Sequence, residues 1–351
     1  MKIVTFGEIM LRLAPPGFQR FTQARSFEAT YGGAEANVAV SLANFGEDIE
    51  YVTRLPNNEL GDACLMSLRS YGICIDHVLR DGERMGVYFL EMGAAQRASK
   101  VIYDRANSSF ATIQPGMIDW RKVFADADWF HWTGITPAVS QGATDACREA
   151  LQVAHELELT VSCDLNYRAK LWQWGKSADE IMPDLVNLCD VILGNEEAAE
   201  IIFGIQIPQS HSLAGNVEVD IHRDLCQEMA KMFPALKTIA MTVRGSLSAS
   251  HNTWSGVLWT HPEPGRKENG NFYSAPTYDI LPIVDRLGAG DALMGGLIYG
   301  LRKYNDDPQK ALNFSTAAAC LKHSISGDFN AVTVSEVETL MSGDTSGRVS
   351  R

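Results

Sequence analysis

The stretch VDRLGAGDAL, residues 284–293, sets Gly288 and Gly290 around one alanine and follows them at once with Asp291. Glycine adopts backbone angles closed to other residues, so this spacing marks a tight turn or a point where backbone approaches something closely. The apolar run ALMGGLIYGL that follows has helical spacing, so the turn opens a helix. A helix start offers unpaired N–H groups and partial positive charge, which suit an anion. Two readings of Asp291 stay open. It is a helix cap, the ordinary role of an aspartate there. Or it is the base that accepts the proton of an attacking hydroxyl while the N–H groups of Ala289, Gly290 and Asp291 hold a transferring phosphoryl group. On the second reading the helix start favours the charged carboxylate and makes it a weak base that is always ionised.

An attacking alcohol needs its own pocket, and other motifs offer one. YGGAEANVAVSLANFG (31–46) is a second glycine turn opening a helix, with Asn37 one turn in. Gly33 there is either a hinge or a point of close approach for a ligand hydroxyl, and Asn37 offers both a donor and an acceptor. CDLNYR (163–168) puts Asp164, Asn166 and Arg168 at the expected carboxyl end of a strand, and IYDRAN carries Arg105 two residues after Tyr103. Taken singly these arginines read as solvated surface. Taken together they could clamp a carboxylate, which the guanidinium fork fits well. WGKS (174–177) lacks the glycine of a phosphate-binding loop, because that position is Lys170. The eight histidines form no metal-ligand spacing, and KLWQW reads as packing.

The elements that must position these residues alternate. KIVTFGEIML, WFHWTGIT, LTVSCDLN, CDVILGN and TIAMTVRG read as strands, separated by amphipathic stretches such as 142–158 and 219–233. Such alternation predicts a mostly parallel sheet with helices on both faces and a ligand site outside the carboxyl ends of the strands. Residues 12–33 and 86–107 break the pattern with strand-like runs that lack helices, the second as a hairpin turning near Gly93 to Ala98. Both read as a small β lid over an α/β core formed by 1–11, 34–85 and 108–340, with 341–351 as a flexible tail.

Composition fits this picture. The chain has 351 residues, 46% hydrophobic and 21% charged, within the range of one large soluble domain or two smaller ones. A formal net charge of −13 argues against nucleic acid or an anionic membrane as partner, so any anionic ligand needs locally concentrated cations. No run approaches the roughly 18 apolar residues of a membrane span, and the first residues read as a strand rather than a signal peptide. The seven cysteines are scattered without a C-x-x-C pair, as in a reducing cytoplasm.

GGAEAN, GNEEA (194–198) and DRLGAGD occur in the order and spacing of the ribokinase-like, PfkB-type sugar kinases, and the chain resembles that family over essentially its whole length. FGEIMLRLAPP, PNNELGDA, VYFLE, VIYDRA, CDLNYR and CLKHSISGDFN resemble the branch that phosphorylates 2-keto-3-deoxygluconate at O6. The resemblance implies a three-layer α/β/α fold with a β lid, ATP and magnesium as cofactors with a monovalent cation as an optional addition, and pairing of subunits through the lid. It implies Asp291 as catalytic base with Gly288, Ala289 and Gly290 as the anion hole. It implies Gly33, Asn37, Tyr88, Tyr103, Arg105 and Arg168 around the sugar acid, and Asn195, Thr242 and Gly245 along the nucleotide. The chain departs from the family at three points. Ala198 stands where N-x-x-E has its glutamate, so no protein metal ligand is assigned. TVRGSLSAS replaces T-x-G-x-x-G, and Arg286 and Leu287 precede GAGD. Fructokinase, 5-dehydro-2-deoxygluconokinase and a non-catalytic sugar-binding protein are the competing readings, and the arginine pair is what speaks for a sugar acid.

Overall fold

A computed structural model describes residues 1–206, 219–261 and 270–344, so the end of the expected tail, 345–351, lies outside the described residues. Along the chain, β1 (Lys2–Phe6) opens the main sheet, and β2 (Met10–Ala14) and β3 (Glu28–Gly32) leave it. β4 (Ile49–Val52) returns, β5 (Arg54–Leu55) and β6 (Leu79–Arg80) form a minor pair, and β7 (Val87–Glu91) and β8 (Lys100–Asp104) leave again. β9 (Ala127–Thr133), β10 (Thr160–Asp164), β11 (Val191–Gly194), β12 (Thr238–Ser248), β13 (His251–Thr260), β14 (Asn271–Ser274) and β15 (Tyr278–Ile280) complete the main sheet. Its order is β14-β13-β12-β11-β10-β9-β1-β4, with β15 also on β13, and the run from β12 to β4 is parallel.

Strand residues alternate between two cores. Val4, Phe6, Ile192, Ile239, Met241 and Val243 face one side with the helices Gln141–Glu156, Ala178–Val186 and Val219–Met232. Ile3, Val191, Leu193 and Ala240 face the other with the helices Ala34–Asn44, Ala289–Lys303 and Pro308–Lys322. Both faces being covered explains the near-continuous apolar runs of the parallel strands. The repeated glycines of ALMGGLIYGL serve the second layer. A Cβ at Gly296 or Gly300 would lie within 2.8 Å of the Cα of Ser315 or Ala311, so the two longest C-terminal helices touch backbone to backbone.

KIVTFGEIML is two strands rather than one. The chain breaks after β1 at Gly7, where an added Cβ would lie 2.0 Å from the buried Glu35 carboxylate, and β2 then joins a different sheet. WFHWTGIT likewise ends as a strand at Thr133 and turns into the short helix Ile135–Val139. The second sheet has order β3-β2-β7-β8, and β7 and β8 form the expected hairpin, closed by a bridge between Ala94 and Arg97. No helix among the described residues is long and apolar enough to cross a membrane, and all seven cysteines are free thiols.

One guanidinium ties the two sheets together. Arg12 on β2 is buried and donates from Nη1 to Asp328 and from Nη2 to Asp285, both at 2.6 Å. Tyr88 on β7 adds a hydrogen bond to Asp328 at 2.7 Å. Replacing Arg12 by Met removes the ion-pair partner of two buried carboxylates, so Arg12→Met should lower unfolding stability by about 3–5 kcal/mol, read as a shift in the urea midpoint. A change below about 1 kcal/mol would show that the pair does not hold the sheets together.

Candidate active site

The carboxyl ends of the parallel strands converge on a cavity of about 470 Å³, bounded on its far side by the small sheet. Topology places the ligand site of a doubly wound sheet here. Of the residues singled out from sequence, Gly33, Asn37, Tyr88, Tyr103, Arg105, Arg168, Asn195, Thr242, Gly288, Ala289, Gly290 and Asp291 line it. Gly245 does not. The pleat alternates, so Thr242 and Arg244 share a face with Ala240, while Gly245 turns to the side of Met241 and Val243. Arg244 is the lining residue at that step of β12.

The GAGD turn divides its glycines by task. Gly288 is the N-cap of the helix Ala289–Lys303 and has φ 81, the left-handed region, and a Cβ there would lie 2.0 Å from the carbonyl oxygen of Asp328. Gly290 is different, since an added Cβ would meet no protein atom within 4 Å. Internal packing therefore requires the first glycine, and only the cavity can require the second. Gly33 belongs with the first kind, because a Cβ there would lie 2.1 Å from the carbonyl oxygen of Glu8.

Asp291 is not a cap. Its carboxylate is buried and accepts a hydrogen bond from Asn37 Nδ2 at 2.6 Å, across the interface between the two glycine-led helices. Burial, the largest influence, pushes the carboxyl up to about 6. The Asn37 hydrogen bond, Arg168 and Lys322 pull it down, and Asp328 pushes it up. The expectation of a permanently ionised carboxylate is thus corrected: helix-start charge is outweighed by desolvation, and Asp291 titrates just below neutrality. Two neighbouring acids behave alike. Burial raises Asp164 to about 7, with the charge of Asp291 adding to it, and burial raises Glu35 to about 7 against hydrogen bonds from Thr133 and Thr136.

The arginine pair is also revised. Arg105 is buried and its Nε donates to Glu8 Oε2 at 2.8 Å, so it already has an internal counter-ion. A buried guanidinium demands a partner, and here a carboxylate 97 residues away supplies it. Arg168 is exposed, and among the described residues its side chain makes only a 3.2 Å bond from Nη1 to the carbonyl of Tyr167. Arg168 is the cation with capacity to spare. Asn195 uses its Oδ1 to cap the helix Glu196–Phe203 at the N–H of Ala198. Ala198 is buried and Glu197 exposed, while Glu196 lines the cavity and pairs with His222 at 2.6 Å.

Sequence reasoning did not assign Glu8, Asp328, Arg244, Arg286 or Trp254, all of which line the cavity. Asp328 sits in the quoted CLKHSISGDFN, and Arg244 and Arg286 are two of the noted departures, so those three carried a signal. Glu8 likewise sits in the quoted FGEIMLRLAPP, and Trp254 carried none.

Residues 1–332 match the model of the pfkB family of carbohydrate kinases. A 2-dehydro-3-deoxygluconokinase from Thermotoga maritima, known from its crystal structure, is 45% identical with a TM-score of 0.90, covering 98% of this chain and 100% of that one. A 2-dehydro-3-deoxygalactonokinase from Haloferax volcanii is 33% identical over 346 residues, 99% of this chain and 98% of its own length. A fructokinase from Xylella fastidiosa, solved with bound ATP, shares the fold at 20% identity and a TM-score of 0.74, covering 98% of this chain and 99% of that one.

The two glycines of the turn should separate in experiment. Gly288→Ala should lower the melting temperature by several degrees, since left-handed backbone and a steric overlap both oppose it. Gly290→Ala should leave the melting temperature within about 2 °C and still weaken anion binding at the turn by about tenfold or more. Equal thermal losses for both variants would contradict the division of tasks.

Proposed function

The chain belongs to the pfkB family of carbohydrate kinases and has its ribokinase-like fold, and from this premise we propose that its cavity transfers the γ-phosphoryl group of ATP to O6 of 2-keto-3-deoxygluconate. The observation that carries the proposal is the pairing of Asp291, buried and held by Asn37, with the open N–H turn at Gly288 to Gly290. The names of the Thermotoga and Haloferax relatives support a 2-keto-3-deoxy sugar acid. They differ only in one hydroxyl configuration of the sugar, and the higher identity favours the gluconate form.

In this mechanism the substrate carboxylate lies against Arg168, with Arg105 and Tyr103 beside it, while Gly33 and Asn37 border the sugar hydroxyls. The sugar's primary hydroxyl meets the free oxygen of Asp291, whose other oxygen is fixed by Asn37. Phosphoryl transfer has a loose transition state, so the proton leaves late and a base titrating near 6 suffices. The N–H groups of the turn hold the developing charge without reorganising. Asn195 and Thr242 border the nucleotide.

Magnesium, when bound, would supply positive charge to the nucleotide phosphates. Among the described residues no group of three or more His, Cys, Asp or Glu could hold a metal by itself. That donor set fits an ion carried largely by phosphates and water, with Glu196 as the lining carboxylate on that side. The free thiols support a cytoplasmic setting.

We also propose a homo-oligomer formed through the small sheet. Its outer face carries Leu11, Leu13, Val87, Phe89 and Ile102, with Ile102 55% exposed and Phe27, 43% exposed, packed on Phe89. Light scattering should give a mass above that of one chain, and Ile102→Glu should reduce it to the monomer; a monomeric wild type would refute the assembly.

Purified protein with ATP and magnesium should release ADP with 2-keto-3-deoxygluconate and not with fructose, ribose or adenosine. Turnover with a neutral sugar alone would remove the carboxylate from the substrate. Asp291→Asn should reduce kcat by about 10²–10⁴ with KM changed by less than about threefold. Because the folded carboxyl is raised to about 6, it is ionised above that pH and gains a proton below it. Wild-type kcat/KM should therefore fall about tenfold per pH unit below about 6. A flat profile down to pH 4 would exclude Asp291 as the base.

A further inference from the structure

Two cations on the cavity wall have no part in the chemistry described so far. Arg244 follows Thr242 by one full pleat on β12 and is exposed to the cavity, with no ion-pair or hydrogen-bond partner among the described residues. Arg286 lies two residues before Gly288 and is half-buried. Its Nη2 donates to the carbonyls of Ser248 and Ala249, at 3.0 and 2.8 Å, in the turn between β12 and β13. Those bonds fix the guanidinium, and among the described residues no carboxylate forms an ion pair with it.

The two charges also oppose each other. Burial, and after it the charge of Arg244, lowers the pKa of Arg286 from its ordinary value against the opposing charge of Asp285, and Arg244 in turn acts on the lining carboxylate of Glu196. Like charges held together in a partly dry wall are costly unless an anion meets both. Trp254, the cross-strand neighbour of Arg244, lines the same cavity.

The anion this wall fits carries more than one negative charge. A sugar acid has a single carboxylate, for which Arg168 is the open cation. Phosphate oxygens match the guanidinium fork, and a di- or triphosphate spans two forks. Resting on the phosphoryl-transfer reading above, we propose that Arg244 and Arg286 form a clamp for the nucleotide phosphates beyond the first. The clamp takes up charge that a magnesium ion alone would otherwise neutralise, so nucleotide diphosphate binds this wall even when divalent ions are chelated.

Titration calorimetry on the full chain in EDTA, with ADP and AMP as probes, tests this. Wild type should bind ADP at least about tenfold more tightly than AMP. Arg244→Met and Arg286→Met should each weaken ADP binding by about 10- to 100-fold, change AMP binding by less than about twofold, and flatten the salt dependence. Arg244 is exposed and forms no ion pair or hydrogen bond among the described residues, so its variant should keep the wild-type melting temperature, and its result stands even where Arg286→Met disturbs the β12–β13 turn. Unchanged ADP affinity in the Arg244 variant, equal losses for ADP and AMP, or no ADP binding by wild type in EDTA would each overturn the clamp. Sugar-acid turnover by wild type alongside any of these would overturn the clamp alone, whereas wild type lacking both turnover and nucleotide binding would overturn the phosphoryl-transfer reading with it.

Discussion

A carboxylate buried at the start of a helix has to remain available as an anion, and much of this molecule is arranged around that constraint at Asp291. Desolvation works against the charge, as does Asp328, and the charge of Asp291 in turn raises its neighbours Asp164 and Glu35. The helix start, the Asn37 amide, Arg168 and Lys322 work for it. The balance leaves the group titrating near 6, close to where a general base is most effective at neutral pH. Asp328 reaches further, because its charge is met by Arg12 on the small sheet while its carbonyl packs under Gly288. The small sheet, the GAGD turn and the base are therefore parts of one electrostatic unit.

A second constraint comes from charge on the molecular scale. A chain with net charge −13 repels a sugar acid and a polyphosphate, the ligands proposed for its cavity, at long range. The cavity answers with arginines of different kinds. Arg105 is neutralised internally by Glu8, Arg168 is open, and Arg244 and Arg286 face each other's charge. Only the last three have charge left for a ligand.

The fold was legible because parallel strands covered on both faces write long apolar runs into the sequence, and because Gly, Asn and Asp mark their carboxyl ends. The anion turn and Asn37 were legible for the same reason, being local motifs at helix starts. What was not legible depended on distance or on the other face of a strand. Glu8 as the partner of Arg105 and Arg12 as the bridge to Asp285 and Asp328 are long-range pairings with no local trace. The split of KIVTFGEIML arises from the Glu35 side chain pressing against Gly7. Gly245 was misjudged through motif matching alone; the period of two from Ala240 would have pointed to Thr242 and Arg244. The antiparallel strands β13 to β15 had the alternation of strands but fell outside the β–α rhythm that guided the reading.

The most direct test of the account is a crystal structure with 2-keto-3-deoxygluconate and a non-hydrolysable ATP analogue bound together. The account predicts the O6 hydroxyl within hydrogen-bond distance of the Asp291 oxygen not held by Asn37, in line with the terminal phosphate at the Gly288 to Gly290 turn, and the substrate carboxylate on Arg168. A sugar acid bound with its carboxylate towards Asp291, or a terminal phosphate seated away from that turn, would contradict it.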